Sequence, residues 1–270
     1  MHKRTRRVSF AAPLAALVTF LTAGTASAQT AEDWCENDRN GDRERFCEVR
    51  ELTLSASAGE LEVDATPNGG VRVEGWDRNE IRVLAKVSSR ADRAVRAQAI
   101  AAEVEIETGT RVHATGPRQD DDESWHVSYR VFVPRDYDLD LDSKNGGIDV
   151  EGVDGQIRMH TTNGGIRVEN VAGDVEGRTT NGGISAHLNG QRWQGVGLDL
   201  QTTNGGIVLA LPDGYNADLE LATTNGGFDL EFPVTVSGKL GRRLETQVGS
   251  GGPGIRAVTT NGGVRLSRTM

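Results

Sequence analysis

The sequence has little of what most active sites are built from. Two cysteines occur in 270 residues, Cys35 and Cys47. Two thiols with no histidine nearby fall short of the four ligands a structural zinc takes. The HExxH, GxSxG and P-loop signatures do not occur, so zinc hydrolysis, serine acyl transfer and phosphate cradling have no motif to rest on. Aromatics are scarce: beside Phe, the chain has Trp34, Trp76, Trp125 and Trp193, and Tyr129, Tyr137 and Tyr215. A sugar-active groove would want more exposed rings than that. Basic residues are outnumbered 30 to 39, for a formal net charge of −9. Such a chain repels nucleic acid and anionic lipid, and acidic substrates are disfavoured on the same ground. No apolar run of membrane length, roughly 20 residues, follows residue 28.

What the sequence does have begins with an export leader. Residues 1–7 carry Lys3, Arg4, Arg6 and Arg7, residues 10–24 are apolar, and Ala26-Ser27-Ala28 is a small-residue cleavage site. Residues 1–28 therefore read as a cleaved signal. Phe10 stands one place late for the twin-arginine motif, so the general export route is expected. Gln29 follows the cut, so no lipid-accepting cysteine is present there. Losing four basic residues takes the net charge to −13 for residues 29–270. Export places Cys35 and Cys47 in an oxidising compartment, where such a pair bonds. Closing a loop of this size is worth on the order of 3 kcal/mol in the chain-entropy account. Residues 29–48 are read as a disulfide-closed N-terminal segment. Within it, residues 38–42 (DRNGD) look like the start of a calcium loop, but Arg43 stands where that loop needs Gly and Val49 where it needs Glu.

The dominant feature is a repeat. TTNGG occurs five times, with SKNGG at residues 143–147 and TPNGG at 66–70. Its asparagines are Asn68, Asn145, Asn163, Asn181, Asn204, Asn225 and Asn261, and the last six are spaced by 18, 18, 23, 21 and 36 residues. The final gap, twice 18, is expected to hide a decayed copy in residues 249–258 (GSGGPGIRAV). On both sides of each turn apolar residues alternate with polar ones, as in Ile157-x-Met159-x-Thr161 and Ile166-x-Val168. Period two belongs to half-buried strands, and a one-residue slip would turn every apolar side chain to water.

Asn-Gly-Gly is expected to supply positive φ. It also marks hairpins, so an antiparallel meander is the rival architecture. The recurrence of the flanking Thr-Thr favours direct stacking of copies, with each Thr or Asn bonding its equivalent in the next rung. The fold expected is all-β: a parallel, single-stranded β-solenoid, right-handed by the crossover rule, with coils of about 18 residues. Residues 143–270 form its regular part. Residues 49–142 form a less regular β region, either degenerate rungs or a cap. Strands are expected there at 52–57, 61–65, 71–76, 81–87, 104–114 and 125–133, and a short alanine-rich helix at 91–102.

The leader, the WC…FCEVRE segment (Trp34-Cys35 to Phe46–Glu51) and the TTNGGI series resemble a bacterial putative-adhesin domain family of unknown function. The resemblance covers residues 49–266. It implies a β-helical, non-enzymatic envelope protein that binds an envelope glycan or a protein partner, and it carries over no catalytic residue and no cofactor.

Three sets of residues remain as candidates. Asp138, Asp140 and Asp142 are expected on one strand face with Asp149 and Glu151 on the next. They could serve a lyase or glycosidase as acid and base or hold a cation, or be no more than a solvated face. His160 and His187 have outward parity and read as solvent-facing. Trp193 and Tyr215 fall in the looser second turns of two long coils and are the best candidate for a ligand-facing patch, with local loop packing as the alternative. An envelope-stress signalling role is a third functional alternative.

Overall fold

A computed structural model describes residues 34–35, 43–56, 59–120, 122–232 and 241–269. The expected signal, residues 1–28, and the loop at 38–42 lie outside the described residues.

Strands in chain order are β1 (Glu44–Ser55), β2 (Glu60–Asp64), β3 (Val71–Trp76), β4 (Glu80–Ala91), β5 (Glu105–Glu107), β6 (Arg111–Thr115) and β7 (Ser124–Pro134). They continue as β8 (Asp138–Ser143), β9 (Ile148–Glu151), β10 (Asp154–Asn163), β11 (Ile166–Glu169), β12 (Ala172–Asn181), β13 (Ile184–His187), β14 (Gly197–Asn204) and β15 (Ile207–Leu211). The last are β16 (Ala217–Asn225), β17 (Phe228–Leu230), β18 (Arg243–Val248), β19 (Gly254–Asn261) and β20 (Val264–Arg268). Helix α1 (Ala94–Glu103) lies between β4 and β5. Alanine-rich composition favours it; Ala97, Ile100 and Ala101 are its buried face, and Arg50 donates to the Ala101 and Val104 carbonyls at its C-terminal end.

The strands form two ten-stranded sheets. The first runs β1-β4-β7-β3-β9-β11-β13-β15-β20-β17, the second β18-β16-β19-β14-β12-β10-β8-β2-β6-β5. Each TTNGG-type turn joins a strand of the second sheet to a strand of the first. Such a pair is one rung, and rungs stack in parallel with identical residues in register. In the second sheet Leu61, Leu139, Ile157, Val175, Leu198, Ile255 and Leu219 form one buried column. In the first, Val71, Ile148, Ile166, Ile184, Ile207 and Val264 form another, with Phe228 half-buried at its end. Full burial of one such side chain stabilises by about 1.5–3 kcal/mol, so a rung gains its core by having a neighbour above and below.

The N-terminal region divides in two. β2 and β3 are a true rung, with Asn68 in the asparagine column. β1, β4 and β7 pair antiparallel and extend the first sheet. The single strand expected over 104–114 is the antiparallel pair β5 and β6. β8 crosses the expected boundary at residue 143, and both sheets continue through it.

Two expectations about the repeat are corrected. Among the described residues no decayed copy fills the 36-residue gap. Residues 254–261 are β19, the second-sheet strand of the last rung. That rung does not stack outside its predecessor: β19 lies between β14 and β16, and β20 between β15 and β17. The chain lays down β16 and β17, returns along the outer side of β16 as antiparallel β18, turns at Gly249 and Gly251 with φ of +60° and +75°, and then inserts its last rung beneath. The asparagine column therefore reads 68, 145, 163, 181, 204, 261, 225.

The second correction concerns the turn. None of the NGG glycines has positive φ; that conformation belongs to the looser second turns, at Gly152, Asn170, Gly173, Gly190 and Gly214. The first glycine of each NGG is required by close approach instead. A Cβ on Gly164 would collide with the Gly146 carbonyl, one on Gly182 with Gly164, one on Gly205 with Gly182 and one on Gly262 with Gly205. The same carbonyls accept the hydroxyl of the first Thr of the next rung: Thr161 to Gly146, Thr179 to Gly164, Thr202 to Gly182 and Thr259 to Gly205, at 2.8–2.9 Å. The expected Thr-to-Thr ladder is absent for that reason. The asparagine ladder is present: each side-chain NH2 donates at 2.8 Å to the Oδ1 of the preceding asparagine in the column, through all seven.

Candidate functional site

The stacked turns build a surface as well as a core. The second glycine of each NGG points outward on the first sheet, and all but Gly70 are exposed along the column 70, 147, 165, 183, 206, 263, 227. The result is a strip of bare backbone along the stack, with rungs about 4.8 Å apart.

At its N-terminal end the strip becomes a groove of about 490 Å³, with Gly70, Gly147 and Gly165 as floor. Ser128, whose Oγ accepts from the Gly70 N–H at 3.2 Å, and Trp34 close one side. Trp34 precedes Cys35, which is bonded to Cys47 on β1. This tether brings the ring beside Lys86 on β4 and Arg130 on β7, whose charged groups lie 5.5 and 5.1 Å from the ring centroid. Beside the glycine row runs a second cross-strand row, Arg130, Arg72, Asp149, Arg167, contributed in register by β7, β3, β9 and β11, with Arg130 at the Trp34 end. Arg72 meets Glu74, Asp149 and Glu151 at 2.7, 3.5 and 3.2 Å, and Arg167 meets Glu169 at 3.3 Å. Among the described residues no carboxylate pairs with Arg130, and its buried Nε has no partner.

The second sheet carries a different depression, about 690 Å³, where Gly197 and Gly254 stand in one row between Asp174 and Asp218. Its walls include Asp199, Glu220 and Glu245, with Arg256 held between Asp199 at 2.8 Å and Glu220 at 3.3 Å. Farther along this face, Asp142 stands beside Asp64 and next to His160. Burial, then the charge of Asp140, raises the Asp142 carboxyl above its ordinary pKa, with His160 opposing. For Asp64 burial acts upward too, but hydrogen bonds from Thr66 and Arg111 outweigh it and hold the carboxyl low.

The candidates from the sequence fare unevenly. Asp138, Asp140 and Asp142 lie on β8 of the second sheet, whereas Asp149 and Glu151 lie on β9 of the first, so the two sets do not share a face. His160 and His187 are likewise on different sheets. Among the described residues no group of His, Cys, Asp and Glu is arranged to hold a metal ion. Trp193 and Tyr215 sit in neighbouring loops joined by the Arg192–Asn216 bridge, as the coil lengths led one to expect. They are not a ligand patch: Trp193 is 2% exposed and Tyr215 1%. The Trp193 indole donates to the Gly173 carbonyl at 3.0 Å, and burial pushes the Tyr215 hydroxyl up to about 12. These rings pack the loops that lengthen their coils. The Trp34 groove was missed because its parts lie far apart in sequence; the tryptophan beside a cysteine was its one local signal.

Residues 47–267 match the Toastrack DUF4097 family. The chain belongs to this family. Several solved structures are similar to this Toastrack chain at low identity. One, described as a putative cell adhesion protein from Clostridium sporogenes, shares 9% identity with a TM-score of 0.41, over 83% of this chain and 100% of that one. A putative adhesin from Bacteroides fragilis shares 8% with a TM-score of 0.37, over 83% and 97%. A putative lipid binding protein from Parabacteroides distasonis shares 10% with a TM-score of 0.26, over 83% and 97%. No curated protein matches the sequence. No described helix is long and apolar enough to cross a membrane.

Proposed function

We propose that this Toastrack chain is an exported, non-catalytic envelope protein that presents its repeat faces to a glycan or protein partner. In this reading residues 1–28 are a cleaved signal and residues 29–48 a disulfide-closed lead-in. Residues 49–142 close one end, and the rungs of residues 143–270 stack as a right-handed solenoid, with coils of about 18 residues at its start and the last rung inserted between its two predecessors. The Cys35–Cys47 bond fits an oxidising compartment. The observation that carries the proposal is the stack itself: seven rungs in register hold two extended faces with outward side chains at fixed spacing. A rigid periodic surface suits recognition of a polymer, because its spacing is set before the partner arrives. The carbohydrate-active alternative loses ground because its two carboxylate sets lie on different sheets.

The test is a pull-down of the mature chain against fractionated envelope, paired with a glycan array. Retention by one fraction or one glycan class is the expected outcome; silence on both contradicts the proposal. Hydrolysis of any retained glycan would contradict the non-catalytic part.

A further inference from the structure

We propose that the first-sheet groove lined by Trp34 and the Arg130–Arg72–Arg167 row binds an acidic saccharide, with the sugar's anionic group on Arg130 and its ring on the glycine floor against Trp34. The proposal rests on the reading of the chain as an envelope-binding module and names the ligand chemistry of one face.

The argument starts from charge. Arg130 and Arg72 are direct cross-strand neighbours. Like charges so placed destabilise a sheet. Arg72 is met by three carboxylates, whereas Arg130 has none among the described residues. An anion seated beside Arg130 relieves that repulsion and forms the charge-assisted contact a guanidinium makes best. Of the three arginines in the groove lining, Arg72 is met by Glu74, Asp149 and Glu151 and Arg167 by Glu169, which leaves Arg130 as the guanidinium without a carboxylate among the described residues, on a chain whose formal charge is −9. The overall negative charge does not forbid an anion here, because charges farther than about 8 Å away are screened at physiological salt. Glu74, Glu151 and Glu169 line the next row and confine the anion to the Arg130 end.

Shape points to a sugar in particular. The floor offers no side chains, so a flat ring can lie against backbone. Ser128 already accepts from Gly70, which leaves its hydroxyl hydrogen to donate to the ligand. Trp34 supplies an apolar ring with a polar edge. The Cys35–Cys47 bond fixes it at the groove mouth.

The anionic group has two sources, a sugar carboxylate or a sugar phosphate. Titration of the mature chain with an oligogalacturonate, a phosphorylated oligosaccharide and a neutral oligosaccharide of equal length, read by calorimetry and tryptophan fluorescence, separates them. At least one acidic ligand is expected to bind tenfold or more tightly than the neutral one, and to weaken as salt is raised. Arg130→Gln is expected to lower that affinity about tenfold while leaving the melting temperature unchanged or higher, since a like-charge contact is removed. Trp34→Phe is expected to abolish the fluorescence change, and reduction of the disulfide to weaken binding. Equal binding of neutral and acidic ligands, no binding of either acidic ligand, or an Arg130→Gln variant that binds like the parent overturns the proposal. Running Arg130→Gln in the envelope pull-down keeps the two ideas apart. Retention of both proteins by envelope while acidic ligands fail sinks the groove alone. Failure of the unaltered chain to be retained sinks the envelope-binding reading.

Discussion

From Asn145 to Asn204 chain order and stacking order coincide; from Asn204 to Asn261 they do not. In the first stretch each rung is laid directly on the one before it, as the parallel registers of β8, β10, β12 and β14 record. In the second, the rung ending in Asn225 is placed outside and the rung ending in Asn261 enters between it and its predecessor. The local chemistry is the same in both. Thr259 bonds Gly205, Thr223 bonds Gly262, and the asparagine ladder passes through Asn261 without a break. A TTNGG turn thus specifies how two rungs meet, but not which two. The choice is made by the segment that follows: β18 pairs along the outer side of β16 and sends the chain back.

The largest expected effect separates the first glycine of a turn, which meets the neighbouring rung, from the second. Gly182→Ala puts a methyl group into the Gly164 carbonyl, and no side-chain rotation relieves it. The loss is expected to reach about 3 kcal/mol or more. Gly227→Ala, at the outermost rung with open space around it, is expected to change stability by less than about 0.5 kcal/mol. Denaturant unfolding of the two variants checks the contrast, and equal losses would mean that rungs do not approach as closely as described.

The core columns sharpen the same comparison. Leu200, fully buried between neighbouring rungs, is expected to cost about 2–5 kcal/mol as Leu200→Ala. Leu230, half-buried on the edge strand β17, is expected to cost visibly less as Leu230→Ala. Comparable thermal-melting losses would show that the edge is more tightly covered than its exposure indicates.

The amide ladder is a smaller effect. Asn181 both donates and accepts, so Asn181→Ala forfeits two bonds, each worth about 0.5–1.5 kcal/mol net. Asn68, at the end of the column, accepts one, and Asn68→Ala is expected to lose about half as much. Chemical denaturation resolves the two.

The smallest effect is a pH dependence confined to the second sheet. The Asp142 carboxyl has a raised folded-state pKa, from burial and from Asp140. Its charge is therefore unfavourable in the fold at neutral pH, and the penalty fades as pH falls through the folded value toward the unfolded one. Asp142→Asn is expected to stabilise modestly at pH 7, with the gain shrinking in acid. Melting temperatures measured from neutral to acidic pH check the sign; a gain that grows in acid contradicts it.

How much of this the sequence disclosed follows the same division. Alternation around Ile157, Met159, Ile166 and Val168 was enough to assign strands, faces and register, because period two leaves one solution when a core must be buried. The asparagine ladder was legible because identical residues recur at identical places. The role of the glycines was not. Gly164 and Gly165 are equivalent as letters, and the carbonyl that forbids a side chain on the first belongs to another rung. The inserted rung was hidden for a related reason, since a spacing of 36 residues reads equally as two coils or as an excursion and return. The groove was harder still. Trp34, Arg72, Arg130 and Gly165 come from four separated segments, and what joins them is a disulfide and three registers.

The order of the last three rungs is tested most directly by paired cysteines at the exposed second Thr of each turn. Parallel neighbours in register stand about 4.8 Å apart, within the 4.4–6.8 Å that a disulfide spans, whereas next-nearest strands, about 10 Å apart, exceed it. Combining Thr203→Cys with Thr260→Cys is expected to give a cross-link on mild oxidation, as is Thr260→Cys with Thr224→Cys. Thr203→Cys with Thr224→Cys is expected to stay reduced. Efficient cross-linking of that last pair would contradict the inserted rung and return the chain to simple sequential stacking.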